Sequence, residues 1–196
     1  MSVSSGGRMH VKVPLERIPV IIGRNGETKN DIMSRTGTII TVDTDNSMVI
    51  IEPENPSTPP INVMKAADIV KAIALGFTPE EAFRLLDEDN VLIVIDLKTV
   101  LGDNPNTLKR IKGRIIGEKG RARRTIEEMT GTKIVVGPYH VAIIGSYERA
   151  MAAKKAVEML AEGRQHSTVY RHLDTVMRGI RRREAVELWR SREEGF

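Results

Sequence analysis

The feature that most constrains this chain of 196 residues is an internal repeat. The segment Ile21-Ile22-Gly23-Arg24-Asn25-Gly26 recurs 94 residues later as Ile115-Ile116-Gly117-Glu118-Lys119-Gly120. The same spacing preserves a later isoleucine, a Thr-Gly-Thr motif and two apolar strand positions: Ile32 and Ile126, Thr36–Thr38 and Thr130–Thr132, Ile40 and Ile134, Val42 and Val136. A repeat of this kind predicts two copies of one small module. Modules of roughly 70 residues can sustain their own cores, and the chain is long enough for both.

Each copy predicts the order strand, helix, helix, strand, strand, helix. In the first copy the apolar spacing predicts strands over 10–13, 38–42 and 48–52, and helical segments over 15–22, 27–35 and 61–75. In the second copy it predicts strands over 91–95, 133–136 and 140–144, and helices over 108–116, 121–129 and 147–162, with an insertion at 97–107. The expected class is α+β, with a three-stranded antiparallel sheet packed by three helices in each module.

The predicted organisation has five parts: a disordered lead 1–8, a first module 9–77, an acidic helical linker 78–90, a second module 91–163 and an arginine-rich C-terminal helix 164–196. The linker begins with Thr78-Pro79-Glu80-Glu81, the signature of a capping box with proline at the first helical position. In the tail, Val169, Leu173, Val176 and Ile180 form one apolar stripe, which predicts packing on the second module. The other face carries arginines that are either solvated or extend a binding surface: Arg171, Arg178, Arg181, Arg182 and Arg183.

The Gly-x-x-Gly loops predict a phosphate-facing surface. Glycine at both ends lets the main chain turn sharply and removes Cβ atoms that would hold a sugar-phosphate chain away. The helix that follows presents unpaired N–H groups and the positive end of its dipole. Net charge is only +4, but the basic residues between 109 and 124 surround the second loop, with Glu118 as the one acid there. These basic residues are Lys109, Arg110, Lys112, Arg114, Lys119, Arg121, Arg123 and Arg124.

Enzymatic and membrane classes find little support in the sequence. The loops lack the Gly-Lys-Ser/Thr of a nucleotide-hydrolysing P-loop, and the chain has no cysteine and no histidine pair at metal-ligand spacing. Asp87-Glu88-Asp89 is interpreted as a solvated acidic linker rather than as the metal site of a nuclease. We therefore expect no catalytic residue, no metal and no cofactor. Because no apolar run reaches 18 residues and no hydrophobic leader is present, we expect a cytoplasmic protein without membrane contact.

The pattern I-I-G-x-x-G…T-G-T-x-I, within this order of elements, resembles the eukaryotic-type (type I) KH domain. That fold grips about four nucleotides of single-stranded RNA with its loop. An aromatic content of 4% favours it over platforms that stack bases on exposed rings. Six residues after the first glycine, where most KH domains carry an apolar residue, this chain has Lys29 and Arg123. The same replacement is characteristic of a two-KH family of small-ribosomal-subunit assembly factors related to the eukaryotic "partner of Nob" protein, and in this respect the chain resembles that family.

The resemblance extends to the tail, through Val169-Tyr170 and the arginine-rich end. It covers nearly the whole chain, whose compact size suggests an archaeal member. It implies a non-catalytic factor that binds small-subunit rRNA near its 3′ end and contacts a ribosome-assembly nuclease or a translation initiation factor subunit. The expected nucleic-acid contacts are Arg114, Ile116, Gly117, Glu118, Lys119, Gly120, Arg121, Arg123, Arg124 and Ile134 in the second module, and Gly23, Arg24, Asn25, Gly26 and Lys29 in the first.

A second hypothesis stays open, that of a protein-interaction scaffold whose KH folds have partly lost RNA binding. Glu27 and Asp31, beside the first loop, favour it locally because they would repel phosphate. Beside each loop we expect an aliphatic floor, a surface of isoleucine side chains that could accept bases. It is formed by Ile22 and Ile40 in the first module and by Ile116 and Ile134 in the second. Neither hypothesis specifies an oligomeric state.

Overall fold

The structure is a computed structural model that describes residues 7–193. Residues 1–6 of the predicted lead and the last three residues of the predicted C-terminal helix lie outside the described residues. The chain consists of two compact units, and the boundary between them falls between Leu92 and Ile93.

The first unit contains one three-stranded sheet and four α-helices within the described residues. Its elements are β1 (Met9–Lys12), α1 (Ile18–Ile22), α2 (Glu27–Thr36), β2 (Thr38–Asp43), β3 (Met48–Pro53), α3 (Pro60–Leu75) and α4 (Pro79–Ala82). Short 3₁₀ turns lie at Leu15–Arg17, Arg24–Gly26 and Phe83–Leu86. The strand order is β1-β3-β2, and both pairs are antiparallel. The predicted fold class and order of elements are confirmed.

The core of this unit lies between the sheet and α3. In the helix predicted over 61–75, Val63, Ala67, Val70 and Ile73 share helical spacing. They are buried, because they form the face of α3 that packs on β1 and β3. Past α3, the capping box forms as predicted: Thr78 Oγ1 accepts from the Glu81 amide and the Glu81 carboxylate accepts from the Thr78 amide, each at 3.3 Å.

The second unit repeats this architecture. Its elements are β4 (Asn90–Asp96), α5 (Leu97–Leu101), α6 (Pro105–Ile116), α7 (Arg121–Thr130), β5 (Lys133–Val136), β6 (His140–Ser146), α8 (Tyr147–Ala161) and α9 (His166–Glu193). The boundary between the units falls within β4, which pairs in the sheet of the second unit. The strand order is β4-β6-β5, so β5 is an edge strand with one neighbour.

The expected insertion at 97–107 is largely helical. Asp96 caps α5 by accepting from the Lys98 and Thr99 amides, and Asn104 caps α6 by accepting from the Asn106 and Thr107 amides. The predicted start of this helix at 108 was therefore wrong by three residues: the pair Asn104-Pro105 is a helix-start signal, with the cap and first-turn proline together.

The repeated Thr-Gly-Thr motif joins a helix to an edge strand. Gly131 ends α7 in a left-handed conformation, as Gly37 ends α2. The hydroxyl of Thr130 donates to the Ile126 carbonyl at 2.7 Å and lies 2.8 Å from the hydroxyl of Thr132, and the first unit has the same arrangement. These buried hydroxyls satisfy each other and the helix end, so the motif is structural.

The C-terminal helix packs on its own unit, against α7 and α8. Val169, Leu173 and Ile180 of the predicted stripe are buried, but the place expected for Val176 is taken by Met177, which is 1% exposed. Val176 is only half-buried. The sequence does not separate the two neighbours, since both are apolar and helical spacings of three and four are both allowed.

Candidate nucleic-acid interface

The second Gly-x-x-Gly loop is a tight turn between α6 and α7. Gly117 has φ +72° and ψ 176°, Lys119 has φ +49°, and Gly120 has φ +78°. A Cβ added to Gly117 would lie 2.6 Å from the Ala122 Cβ and 2.7 Å from the Ala122 nitrogen. A Cβ added to Gly120 would meet nothing within 4 Å. The first glycine therefore permits close packing of the loop on α7, and the second leaves the outer side of the loop open.

Exposed cations surround this loop. Lys119 at its tip is exposed, as are Arg121 and Arg124 on the first turn of α7. The neighbouring acid at the tip, Glu118, is exposed too. One N–H of Arg124, on Nη2, donates to the Lys119 carbonyl at 2.7 Å, which holds the guanidinium against the loop. The dipole of a ten-residue helix adds positive potential at this point.

Arg123 contacts the neighbouring edge strand. Its Nη1 donates to the Ile134 carbonyl at 3.1 Å, while the Ile134 amide donates to Glu127 Oε1 at 2.8 Å. Arg123 Nε lies 3.8 Å from Glu127 Oε2, one turn along α7. We call this arrangement the clasp: the side chains of Arg123 and Glu127 with the main chain of Ile134. An open depression of about 460 Å³ borders it, lined by Arg123, Arg124, Glu127, Glu128, Gly131, Thr132 and Lys133.

The expected aliphatic floors are only partly present. Ile22 and Ile116 are half-buried beside their loops, but Ile40 and Ile134 are 3% and 1% exposed. Their side chains belong to the core, because alternate residues of a strand point toward the packed helices. In the second unit, the clasp covers the main chain of Ile134.

The guanidinium of Arg114 has a structural task. Its Nε donates to the carbonyl of Leu160, in the last turn of α8, at 3.3 Å, and its Nη2 donates to the carbonyl of Arg164, which follows α8, at 2.6 Å. His166 Nε2 donates to the Arg114 carbonyl at 2.9 Å. This satisfies carbonyls that a helix end leaves without intrahelical partners. These bonds point the Arg114 guanidinium toward the end of α8, which favours a structural role, and the RNA contact expected for Arg114 stays a prediction.

The first loop has the same backbone but a different charge. Gly23, Asn25 and Gly26 have φ of +74°, +51° and +83°. Arg24 and Asn25 are exposed and Lys29 is half-buried, while the exposed Glu27 begins α2 and a half-buried Asp31 follows. The first loop can therefore approach a phosphate in the same way, with a weaker positive field.

Two arginines of the C-terminal helix, Arg181 and Arg183, contact neighbouring helices. Arg183 pairs with Glu148 at 3.0 Å, and Arg181 Nη2 lies 3.5 Å from the Met129 carbonyl at the end of α7. The Arg149 guanidinium donates to both oxygens of Glu184, at 2.9 and 2.7 Å. These hydrogen bonds lower the pKa of Glu184. The sequence analysis missed Arg149, Glu127 and Glu184. Arg149 and Glu184 are 35 residues apart, and no sequence motif connects them. Arg123 and Glu127 have the i,i+4 spacing of a helix face, which could have identified their pairing.

Among residues 7–193, no cluster of three or more acidic or histidine side chains could hold a metal ion. No helix in that range has the length and apolar character to cross a membrane.

Comparisons with known proteins identify the domains. Residues 91–178 match the eukaryotic-type KH domain (KH-domain type I), and residues 8–71 match the KH domain. A KH-domain-containing protein of Methanocaldococcus jannaschii is 38% identical over 184 residues, 94% of this chain and 80% of that protein. The RNA-binding protein pno1 of Dictyostelium discoideum is 32% identical over 177 residues, 88% of this chain and 73% of that protein.

Shorter matches include the pre-rRNA-processing protein PNO1 of Candida glabrata, which is 35% identical over 131 residues, 65% of this chain. The matched residues make up 49% of that protein, so the chain matches about half the length of this relative.

Solved structures match the whole fold. The crystal structure of an Aeropyrum pernix protein of unknown function is 66% identical, with a TM-score of 0.92 over 96% of this chain and 100% of that chain. A chain in the crystal structure of an a/eIF2alpha–aDim2p–rRNA complex from Pyrococcus horikoshii is 44% identical, with a TM-score of 0.81 over 88% of this chain and 94% of that chain. The chain belongs to the family of two-KH-domain proteins that includes Dim2p and PNO1.

Proposed function

We propose that this protein is a non-catalytic single-stranded RNA-binding factor that binds small-subunit rRNA near its 3′ end, in ribosome assembly or in recruitment of an initiation factor. The observation that carries the proposal is the second Gly-x-x-Gly loop, whose main chain is bare on its outer side and lies at the N-terminus of a helix flanked by exposed cations.

The loop would hold the sugar-phosphate chain through its main chain. Gly120 leaves room for the backbone to approach, and the first turn of α7 offers N–H groups that have no intrahelical acceptor. Lys119, Arg121 and Arg124 add long-range attraction. The proposed contacts in this module are Ile116, Gly117, Glu118, Lys119, Gly120, Arg121, Arg123 and Arg124, with Ile134 acting through the clasp.

The first module would contribute a weaker, second contact. Its loop residues Gly23 to Gly26 have the same backbone as the second loop, and Lys29 stands where Arg123 stands in the repeat. Glu27 and Asp31 reduce the positive potential there, so we assign most of the RNA affinity to the second module.

The family supports the choice of RNA and partners. A related archaeal Dim2p was crystallised with rRNA and an initiation factor subunit, and other relatives carry names that refer to RNA binding or pre-rRNA processing. The α subunit of a translation initiation factor is therefore the first protein partner to test, and a ribosome-assembly nuclease is the second. A role in ribosome assembly or in recruitment of an initiation factor would place the protein in the cytoplasm.

The test replaces the tip of the second loop. Glu118 and Lys119 are exposed, so changing both to aspartate should abolish binding by repelling phosphate and leave the melting temperature unchanged. Fluorescence anisotropy with an oligonucleotide ending in the small-subunit rRNA 3′ sequence measures the affinity. The matched control places the same Asp-Asp pair at Arg24 and Asn25 in the first loop, where the loss should be smaller. A larger loss from the control would reverse the assignment of the two modules.

Salt dependence separates phosphate contacts from other effects. Each lost phosphate contact to a single strand lowers the log–log salt slope by about 0.7. Arg121→Ala with Arg124→Ala should therefore flatten the slope by up to about 1.4. The scaffold hypothesis, which Glu27 and Asp31 favour, predicts instead that the protein has no salt-dependent RNA binding and retains binding to its protein partner after these changes.

A further inference from the structure

The clasp closes the edge of β5 where the strand borders the open depression. β5 has β6 on one side only, and an edge strand normally presents unpaired N–H and C=O groups. At Ile134 both groups are already used, the N–H by Glu127 at 2.8 Å and the C=O by Arg123 at 3.1 Å. The exposure of this residue is 1%, main chain included. A base in the adjacent depression therefore cannot pair with this part of the strand.

The end of the Arg123 guanidinium is a polar group that remains available beside the strand. Its side chain is 38% exposed, whereas that of Glu127 is 15% exposed. Within the described residues, its partners are the Ile134 carbonyl and Glu127, so Nη2 and the second hydrogen of Nη1 have no acceptor. An arginine offers donors only, in a rigid planar fork.

We infer that the clasp makes Arg123 the base-selecting group of the second module, with Glu127 as its positioning residue, and that it selects a base with two adjacent acceptors. Guanine presents O6 and N7, and cytosine presents N3 and O2. Adenine places its N6 donor beside each of the acceptors N1 and N7, so it would direct a donor at a donor. The inference rests on the proposed RNA binding and specifies which bases that site accepts.

The repeat supplies a natural contrast. Lys29 and Met33 stand at the positions of Arg123 and Glu127, 94 residues earlier. Methionine has no carboxylate to accept from the strand amide, and lysine has no planar fork. The clasp therefore cannot form in the first module, and we expect no such base preference there.

The experiment measures the affinity of the full chain for oligocytidine and for oligoadenosine of equal length. The protein should prefer oligocytidine by roughly 5- to 150-fold, the range that one bidentate contact provides. Glu127→Met should remove most of this preference, because the strand edge opens and Arg123 is no longer held. Arg123→Lys should remove it also.

Glu128→Met is the matched control. Glu128 is the exposed neighbour on the rim of the same depression, and its replacement changes the charge equally without touching the clasp. The control should keep the preference for oligocytidine. If the clasp only protected the strand edge, Glu127→Met would lower the melting temperature but leave the ratio of the affinities for oligocytidine and oligoadenosine unchanged. That result would overturn the inference.

Two other outcomes are distinguishable. Salt-dependent binding of equal strength to both oligonucleotides by the unaltered protein would refute base selection and leave the proposed function standing. Absence of salt-dependent binding to either oligonucleotide, and to the rRNA 3′ sequence, would refute the proposed function itself.

Discussion

Replacing Gly117 by alanine should damage the second unit far more than the same change at Gly120, although both glycines have positive φ in one loop. Gly120, with ψ 13°, is in the left-handed helical region, where an L-residue costs about 1–2 kcal/mol. Gly117, with ψ 176°, is in a region that essentially only glycine adopts, where another residue costs about 1–3 kcal/mol. At Gly117 the new Cβ would also lie 2.6 Å from the Ala122 Cβ, so α7 must shift. Such overpacking typically costs a further 1–3 kcal/mol. We therefore expect the free energy of unfolding to fall by roughly 2–6 kcal/mol for Gly117→Ala and by about 1–2 kcal/mol for Gly120→Ala.

Hydrogen exchange read out on peptides of each unit is the appropriate assay, since a chain of two units need not unfold in one step. Gly117→Ala should speed exchange throughout α6 and α7 and leave the first unit unchanged. Gly120→Ala should keep most of the protection but lose RNA affinity, because its Cβ enters the open side of the loop. Equal destabilisation by the two changes would refute the close packing at Gly117.

Further changes test other parts of the structure. Met177→Ala should lower the free energy of unfolding by about 2–5 kcal/mol, and Val176→Ala, one residue away and half-buried, should cost much less; denaturant titration decides, and a larger effect at Val176 would contradict the packing of α9. Arg114→Ala should destabilise the second unit and leave the salt slope of RNA binding unchanged, whereas a flatter slope would show a phosphate contact. Glu184→Gln should lower the melting temperature at neutral pH. Because the folded-state pKa of Glu184 is lowered, the contribution of its ion pair is present above the ordinary glutamate pKa of 4.5 and is lost as the pH falls through the folded value, so melting curves of Glu184→Gln and the parent protein should converge in acid.

Much of the fold could be predicted because the repeat supplied each pattern twice. The stripe from Val63 to Ile73, the capping box at Thr78 and the helix-ending glycines Gly37 and Gly131 depend on local chemistry, which the sequence displays directly. The start of α6 was missed although Asn104-Pro105 is a start signal, since the apolar spacing becomes clear only at Leu108.

The candidate site was less predictable because its side chains have long-range partners. Arg114 and Arg123 look alike in a basic segment, yet one binds the end of α8 and the other binds the edge of β5. Nothing in the spacing identifies the Leu160 carbonyl or the Ile134 amide as partners. Charge patterns therefore predict a binding surface, but only the structure shows which of its cations already contact other parts of the protein.

The helix-end contact of Arg114 has a counterpart that the repeat conceals. In the first unit, Arg17 Nε and Nη2 donate to the Ile73 and Phe77 carbonyls at the end of α3, at 2.8 and 2.7 Å. The two arginines are 97 residues apart, not 94, so alignment of the copies pairs Arg17 with Ile111. The duplicated modules have thus kept an interaction while moving its donor by about one helical turn. Exchanging single segments between the copies would separate each arginine from its acceptors. A chimaera must therefore transfer the segment that carries the arginine together with the helix whose end it contacts, α3 in the first unit or α8 in the second.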